Sequence, residues 1–151
     1  MPLTIVHFGT DPRTLGSGIA SVVRCYQELS LPGLIMASET TYRSRREIFG
    51  LVHLPRAIRR LRSLDRRNSI AHFHLSHRGS FLREGALLRY AYWQGIPSVV
   101  TIHGSGFDVF AERHPQLVRV VLTNAKGIAA LSPKTETILE SLGLGPTALL
   151  P

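Results

Sequence analysis

The stretches "IPSVVTI" (residues 96–102) and "GIAAL" (residues 127–131) decide the fold class. Both contain apolar residues at consecutive positions rather than at alternate ones. Such strands are apolar on both faces, which is typical of a parallel sheet that helices cover on both sides. These two runs therefore predict an α/β protein built around a parallel sheet.

Short apolar runs and helix-like segments alternate along the rest of the chain. The expected strands cover residues 3–8, 33–37, 70–74, 98–102, 127–130 and 147–150, and the expected helices cover residues 18–29, 55–64, 80–94, 115–123 and 133–142. This alternation indicates βαβ units with right-handed crossovers. We expect a Rossmann-like parallel sheet with helices on both faces. Residues 38–53 are expected to form a loop with a short extra strand.

Unusual residues follow four of the expected strands. A glycine loop follows the first strand, "HFHLSHRGS" (residues 72–80) contains the end of the third, "HGSGFD" (residues 103–108) follows the fourth, and "LSP" (residues 131–133) follows the fifth. Ligands of open parallel sheets bind beyond the carboxyl ends of the strands. The sequence therefore predicts that these four segments converge on one binding edge.

The composition favours a cytoplasmic protein with anionic partners. Sixteen arginines contribute to a formal net charge of +8, which suits phosphates or acidic lipid, although an arginine-rich genome gives the same composition. The single cysteine, Cys25, excludes an internal disulfide and fits a reducing compartment. No apolar stretch is long enough to span a bilayer.

The segment "LPRAIRRLRSLDRR" (residues 54–67) predicts an amphipathic helix. Leu54, Ile58 and Leu61 form its apolar stripe. The arginines of the segment are Arg56, Arg59, Arg60, Arg62, Arg66 and Arg67. They form either an ordinary solvated face or a contact with a phosphorylated acceptor or with anionic lipid headgroups at the inner membrane surface. No aromatic residue is interleaved with them, so we expect no nucleic-acid partner.

The glycine loop "GSGIAS" (residues 16–21) partly matches the dinucleotide fingerprint G-x-G-x-x-G/A, with Ser21 at the third place. Glu39 follows about 20 residues on, where a ribose partner of NAD(P) would lie. However, seven residues separate Phe8 from Gly16, whereas the fingerprint begins directly after its strand. The helix N-terminus behind the loop can still bind an anion.

Histidines mark two strand ends. His72, His74 and His77 have the spacing H-x-H-x-x-H, but no convincing carboxylate or thiolate completes a ligand set, so we expect no metal. His103 follows the strand "VVTI", where it can donate a hydrogen bond to a substrate hydroxyl or stabilise developing charge. Asp108 either orients His103 or begins the next helix.

Four stretches occur in the order "GSGIASVV", "AHFHLSH", "PSVVTIHGSGFD" and "VLTNAKGIAALSP". This order resembles the N-terminal half of family 4 retaining glycosyltransferases of the GT-B fold. The resemblance implies a hexosyltransferase-type enzyme with two Rossmann-like domains. Residues 1–151 would be the acceptor-side domain, and the donor-binding domain would be absent from this chain, which alone would be inactive.

The resemblance also implies site residues and substrates. His103 would be catalytic, and the residues that bind the donor would be Gly16, Ser17, Gly18 and Ser132, whereas His72, His74 and Asp108 would lie on the acceptor side. A UDP- or GDP-sugar would be the co-substrate, with no tightly bound cofactor and no metal. The loop reads Gly-Ser-Gly where family members commonly have adjacent glycines. Two alternatives are an NAD(P)-binding dehydrogenase domain and a non-enzymatic module that binds membrane surfaces.

Overall fold

Strands and helices alternate throughout the computed structural model, which describes residues 2–43, 51–104 and 106–150. The strands are β1 (Leu3–Thr10), β2 (Leu34–Tyr42), β3 (Ser69–Leu75), β4 (Ser98–Ile102), β5 (Gly127–Ala130) and β6 (Thr147–Leu149). The helices are α1 (Gly18–Glu28), α2 (Leu54–Arg62), α3 (Gly79–Trp93), α4 (Gly106–Arg113), α5 (Pro115–Leu122) and α6 (Pro133–Ser141), and a 3-10 helix (Leu51–His53) precedes α2.

The strands form one sheet in the order β2-β1-β3-β4-β5-β6, and every pairing in it is parallel. This arrangement confirms the α/β class and the Rossmann-like sheet. The chain moves in one direction from β1 to β2 and in the other from β3 to β6, so the strand order reverses between β1 and β3. Such a reversal opens a crevice at the carboxyl ends of the two strands.

The main core lies on one face of the sheet. Phe8 of β1 stacks on Phe73 of β3 with ring centroids 5.0 Å apart, and both side chains are fully buried. Leu61 of α2 and Phe81 of α3 belong to the same buried cluster. Burying each of these side chains contributes about 1.5–3 kcal/mol. The opposite face over β1 is covered by α1, where Tyr26 stacks on His7.

The expectation for residues 38–53 is wrong at its start, because β2 continues to Tyr42 beside β1. Polar residues in the second half of β2 hide the apolar pattern that predicts a strand, and Thr41 among them has partners in the fold. Thr41 donates a hydrogen bond to the carbonyl of Gly9 and contacts the buried carboxyl of Glu84. Residues 44–50 lie outside the described residues.

Candidate functional site

The four unusual segments lie side by side at one edge of the sheet. Strands β1, β3, β4 and β5 are consecutive neighbours, and parallel strands place their carboxyl ends together. The predicted convergence of these segments is therefore confirmed. We call this edge the carboxyl edge.

Three buried histidines cluster beside the strand reversal. His7 of β1 is in register with His72 of β3, and His74 follows on the same face of β3. Their exposed fractions are 1 %, 9 % and 0 %. The sequence analysis missed His7, because only the pairing of β1 with β3 shows that its side chain joins the H-x-H pair.

Hydrogen bonds join three imidazoles into a chain that ends at the carboxyl edge. Nδ1 of His7 lies 3.0 Å from Nε2 of His74, and Nδ1 of His74 lies 2.9 Å from Nε2 of His103. We call His7, His74 and His103 the imidazole chain. His72 stands apart from it, because its Nε2 lies 2.8 Å from the hydroxyl of Thr101.

Burial keeps these histidines neutral near pH 7. It lowers the pKa of His7 to about 4, that of His72 to about 3 and that of His103 to about 4. Burial also holds the pKa of His74 well below its ordinary value, and repulsion by the neighbouring imidazoles adds to this effect. Near pH 7 His103 is therefore a neutral imidazole rather than a cation.

Within the described ranges, the group of side chains best suited to a metal ion is the cluster of His7, His72 and His74. Ligand atoms of His7, His72 and His74 lie within 4.8 Å of one another. The nitrogens of a tetrahedral zinc site are roughly 3.3 Å apart, so binding would require the rings to move closer and His74 to give up a hydrogen bond. His77 is not in this group; its ring lies against Gly106. That the protein uses no metal stays a prediction.

Ser132 and Asp108 are linked through a residue that the sequence analysis did not single out. The side chain of Ser132 accepts a hydrogen bond from the backbone N–H of Thr135 at the start of α6. The hydroxyl of Thr135 donates to Asp108 at 3.0 Å, and Lys134 Nζ lies 3.4 Å from the same carboxylate. Asp108 thus lies in the first turn of α4 and bonds α6 rather than orienting His103.

A cavity of about 400 Å³ opens between the ends of β4 and β5. Its lining includes Ile102, Gly104, Asp108, Leu131, Ser132 and Thr135. This volume falls within the range of about 300–1,000 Å³ that small-molecule sites occupy. Because Ile102 and Gly104 flank His103 in the chain, the cavity and His103 are neighbours at the carboxyl edge.

Neither His72 nor His74 is among the residues that line that cavity. His72 lines an apolar hollow on the sheet face beside Tyr26 and Val99, and His74 has no exposed surface. Their acceptor-side role stays a prediction. For His74 the geometry offers a further role, namely holding His103.

The glycine loop leaves the N-terminus of α1 open. Ser17 caps this helix by accepting a hydrogen bond from the N–H of Ala20 at 3.3 Å. Gly16 has φ +74°, a conformation that favours glycine, whereas Gly18 has no positive φ. A Cβ atom on either glycine would meet no atom within 4 Å. Packing within the described part of the chain therefore gives no reason for glycine at position 18.

Glu39 has an arginine partner in the fold. It is buried on β2, and its Oε1 lies 2.9 Å from Nε of Arg56, an ion pair without hydrogen-bond geometry. Nearby, hydrogen bonds from Arg13 lower the pKa of Asp11 to about 2, although its partial burial opposes this effect. Since the Glu39 carboxylate already faces a cation, the structure offers little support for a ribose-binding role.

Helix α2 has the predicted amphipathic form. Ala57 and Leu61 are buried, whereas Arg59 and most other arginines of the segment are exposed. Just before α2, Leu51 and Val52 are 54 % and 70 % exposed. Within residues 2–43, 51–104 and 106–150, every helix is too short or too polar to cross a membrane.

Comparison with known proteins adds no family to this description. No protein-family model matches the chain, and no curated protein matches it. The resemblance to glycosyltransferases therefore stays a hypothesis, which depends on the order of the motifs and on the chemistry available at the carboxyl edge.

Proposed function

We propose that this chain is the acceptor-side domain of a retaining glycosyltransferase of the GT-B fold. It would act with a donor-binding domain to move a sugar from a UDP- or GDP-sugar to an acceptor. The observation that carries the proposal is the meeting of three features at the carboxyl edge. They are the open N-terminus of α1, His103 after β4, and the cavity at Ser132.

The chemistry of retaining transfer needs hydrogen-bond donors around the departing diphosphate. Negative charge grows on that group as its bond to the sugar weakens, and fixed donors in a site that excludes water stabilise the charge. The N-terminus of α1 supplies backbone N–H groups behind Gly16 and Gly18. His103, a neutral imidazole, directly follows β4, which β3 separates from β1 in the sheet.

The binding step is testable on the chain itself. Titration of the ¹⁵N-labelled chain with UDP-glucose, GDP-mannose and NAD should shift the backbone signals of Gly16, Gly18 and His103 with a nucleotide sugar, at weak affinity. Weak binding is expected because one wall of a cleft buries only part of a ligand. Shifts at the glycine loop with NAD alone would favour the dehydrogenase alternative and overturn the proposal.

The catalytic step requires the domain joined to a donor-binding partner domain. In that enzyme, His103→Ala should lower kcat on the order of a hundredfold, as expected for the loss of a transition-state hydrogen bond. Thermal unfolding of the variant serves as the control for its fold. Turnover close to that of the unmodified enzyme would remove His103 from the mechanism.

A second role is favoured by the surface at α2. The exposed arginines of α2 and the exposed side chains of Leu51 and Val52 together resemble an interfacial anchor. We propose that this surface brings the site to acceptors on an anionic membrane. This role is compatible with sugar transfer and also with the non-enzymatic alternative, so it does not decide between them.

A further inference from the structure

Among the described residues, each end of the imidazole chain has a ring nitrogen without a hydrogen-bond partner. At the inner end, Nε2 of His7 is fully buried and has no hydrogen-bond partner among the described residues. At the outer end, Nδ1 of His103 likewise has none there, but it is not among the fully enclosed atoms, and His103 keeps 6 % of its surface exposed. Whether each of these two end nitrogens carries a proton therefore depends on the direction of the two hydrogen bonds inside the chain.

Proton counting allows only two arrangements of the chain. A neutral imidazole has one N–H donor and one bare acceptor nitrogen. His74 bonds a neighbour through each of its nitrogens, so it must donate to one and accept from the other. All the hydrogen bonds consequently run in one direction, either outward from His7 to His103 or inward from His103 to His7.

The buried end favours the outward direction. In the inward arrangement Nε2 of His7 would be a buried N–H group with no acceptor among the described residues, and such orphaned donors are rare because they lose their hydrogen bond to water without replacing it. In the outward arrangement that atom is a bare nitrogen, and each N–H group inside the chain has an acceptor. The proton of His103 then lies on Nδ1.

We propose that His7 and His74 are positioning residues that hold His103 as its Nδ1–H tautomer. They thereby present a neutral hydrogen-bond donor at the carboxyl edge. The use of that donor depends on the proposed function: it would bond an oxygen of the donor sugar or its diphosphate, as neutral imidazoles do elsewhere when they stabilise negative oxygen without transferring a proton. The tautomer itself does not depend on that function.

Nitrogen NMR of the ¹⁵N-histidine-labelled chain tests the tautomer directly. The shifts of the ring nitrogens distinguish N–H from bare nitrogen, and long-range proton correlations assign each ring. We expect N–H at Nδ1 of His7, His74 and His103 at pH 7. A proton on Nε2 of His103, or a metal ion bound between these rings in the purified chain, would overturn the proposal.

Substitutions at His74 separate positioning from packing. His74→Phe keeps a ring but removes both hydrogen bonds, so the His103 signals should move to averaged values of two tautomers. His74→Asn places an amide N–H near the position of Nδ1 and should restore the Nδ1–H form of His103. Thr101→Val is the matched control, because it removes the partner of His72 and leaves the imidazole chain untouched. An unchanged His103 tautomer in the folded His74→Phe chain would contradict the proposal.

Activity distinguishes this proposal from the proposed function. If the enzyme with its donor domain transfers sugar, His74→Phe should lower kcat more than it raises KM, and His74→Asn should recover part of the loss. If no nucleotide sugar binds but the tautomer is Nδ1–H and responds to His74 as expected, the imidazole chain stands and the glycosyltransferase proposal fails. If sugar is transferred but His103 carries its proton on Nε2, the glycosyltransferase proposal stands and the proposal for the imidazole chain fails.

Discussion

Mild acid should destabilise this domain strongly, because its four buried histidines stay neutral when folded but take up protons when the chain unfolds below about pH 6.5. The pKa of His7, His72 and His103 falls from 6.5 in an unfolded chain to between about 3 and 4, and that of His74 also falls far. Between these values the unfolded state binds more protons than the folded state. Stability is therefore fully present above pH 6.5 and is lost as the pH falls.

The expected loss can be worked out per histidine. When the pH falls from 7 to 5.5, protonation of a histidine with a pKa of 6.5 stabilises the unfolded chain by about 1 kcal/mol, whereas a buried histidine with a folded-state pKa near 3 or 4 stays neutral and stabilises the folded chain very little. His7, His72 and His103 together give about 3–4 kcal/mol, and the lowered pKa of His74 adds to this loss in the same direction. The total approaches the whole stability of a marginal domain, since ordinary domains have about 5–15 kcal/mol. Glu84 opposes this loss, because burial raises its pKa and the folded chain then gains stability from its protonation as the pH falls. It is a single group, whereas four histidines act against it.

Urea unfolding followed by far-UV circular dichroism at pH 7, 6.5, 6 and 5.5 measures this loss. His72→Asn should reduce the pH-dependent change in unfolding free energy by about a quarter, because it removes one of the four buried histidines. His114→Gln serves as the control: His114 is exposed, so its replacement should leave that change as it is in the unmodified chain. A free energy of unfolding that stays level from pH 7 to 5.5, or rises, would show that these imidazoles are not buried and neutral, and would remove the basis of the imidazole chain.

Two further outcomes test the surfaces assigned to ligands. Gly18→Val should leave the melting temperature of the chain nearly unchanged, because the new Cβ atom would meet nothing within 4 Å beyond its chain neighbours and the helix backbone, but it should abolish nucleotide-sugar shifts by blocking the approach to α1. Gly16→Ala, which places a side chain on a left-handed residue, should instead lower the melting temperature. Replacing Arg59, Arg60 and Arg66 with Gln should weaken sedimentation with phosphatidylserine vesicles at low salt. Full nucleotide-sugar binding by Gly18→Val would leave the glycine loop with a structural role only. Undiminished sedimentation of the triple arginine variant would do the same for the surface at α2.

Local pattern determined most of the fold from the sequence. The strands at residues 98–102 and 127–130 match β4 and β5, because a run that is short, apolar on both faces and flanked by glycine or proline favours a covered strand over a helix. The expected start of a helix at residue 133 matches α6, because Ser132 caps the helix with its hydroxyl and Pro133 occupies its first position, and both effects act within one turn. The convergence of the strand ends followed from parallel pairing alone.

Only the tertiary structure decided how the site is connected. The extension of β2, the link from Asp108 to Ser132 through Thr135 and the partner of Glu39 all depend on pairings between distant segments. The imidazole chain is the clearest case, because its first bond spans 67 residues and exists only in one register of β1 against β3. A shift of one residue would turn His7 to the opposite face, and no local pattern records that register.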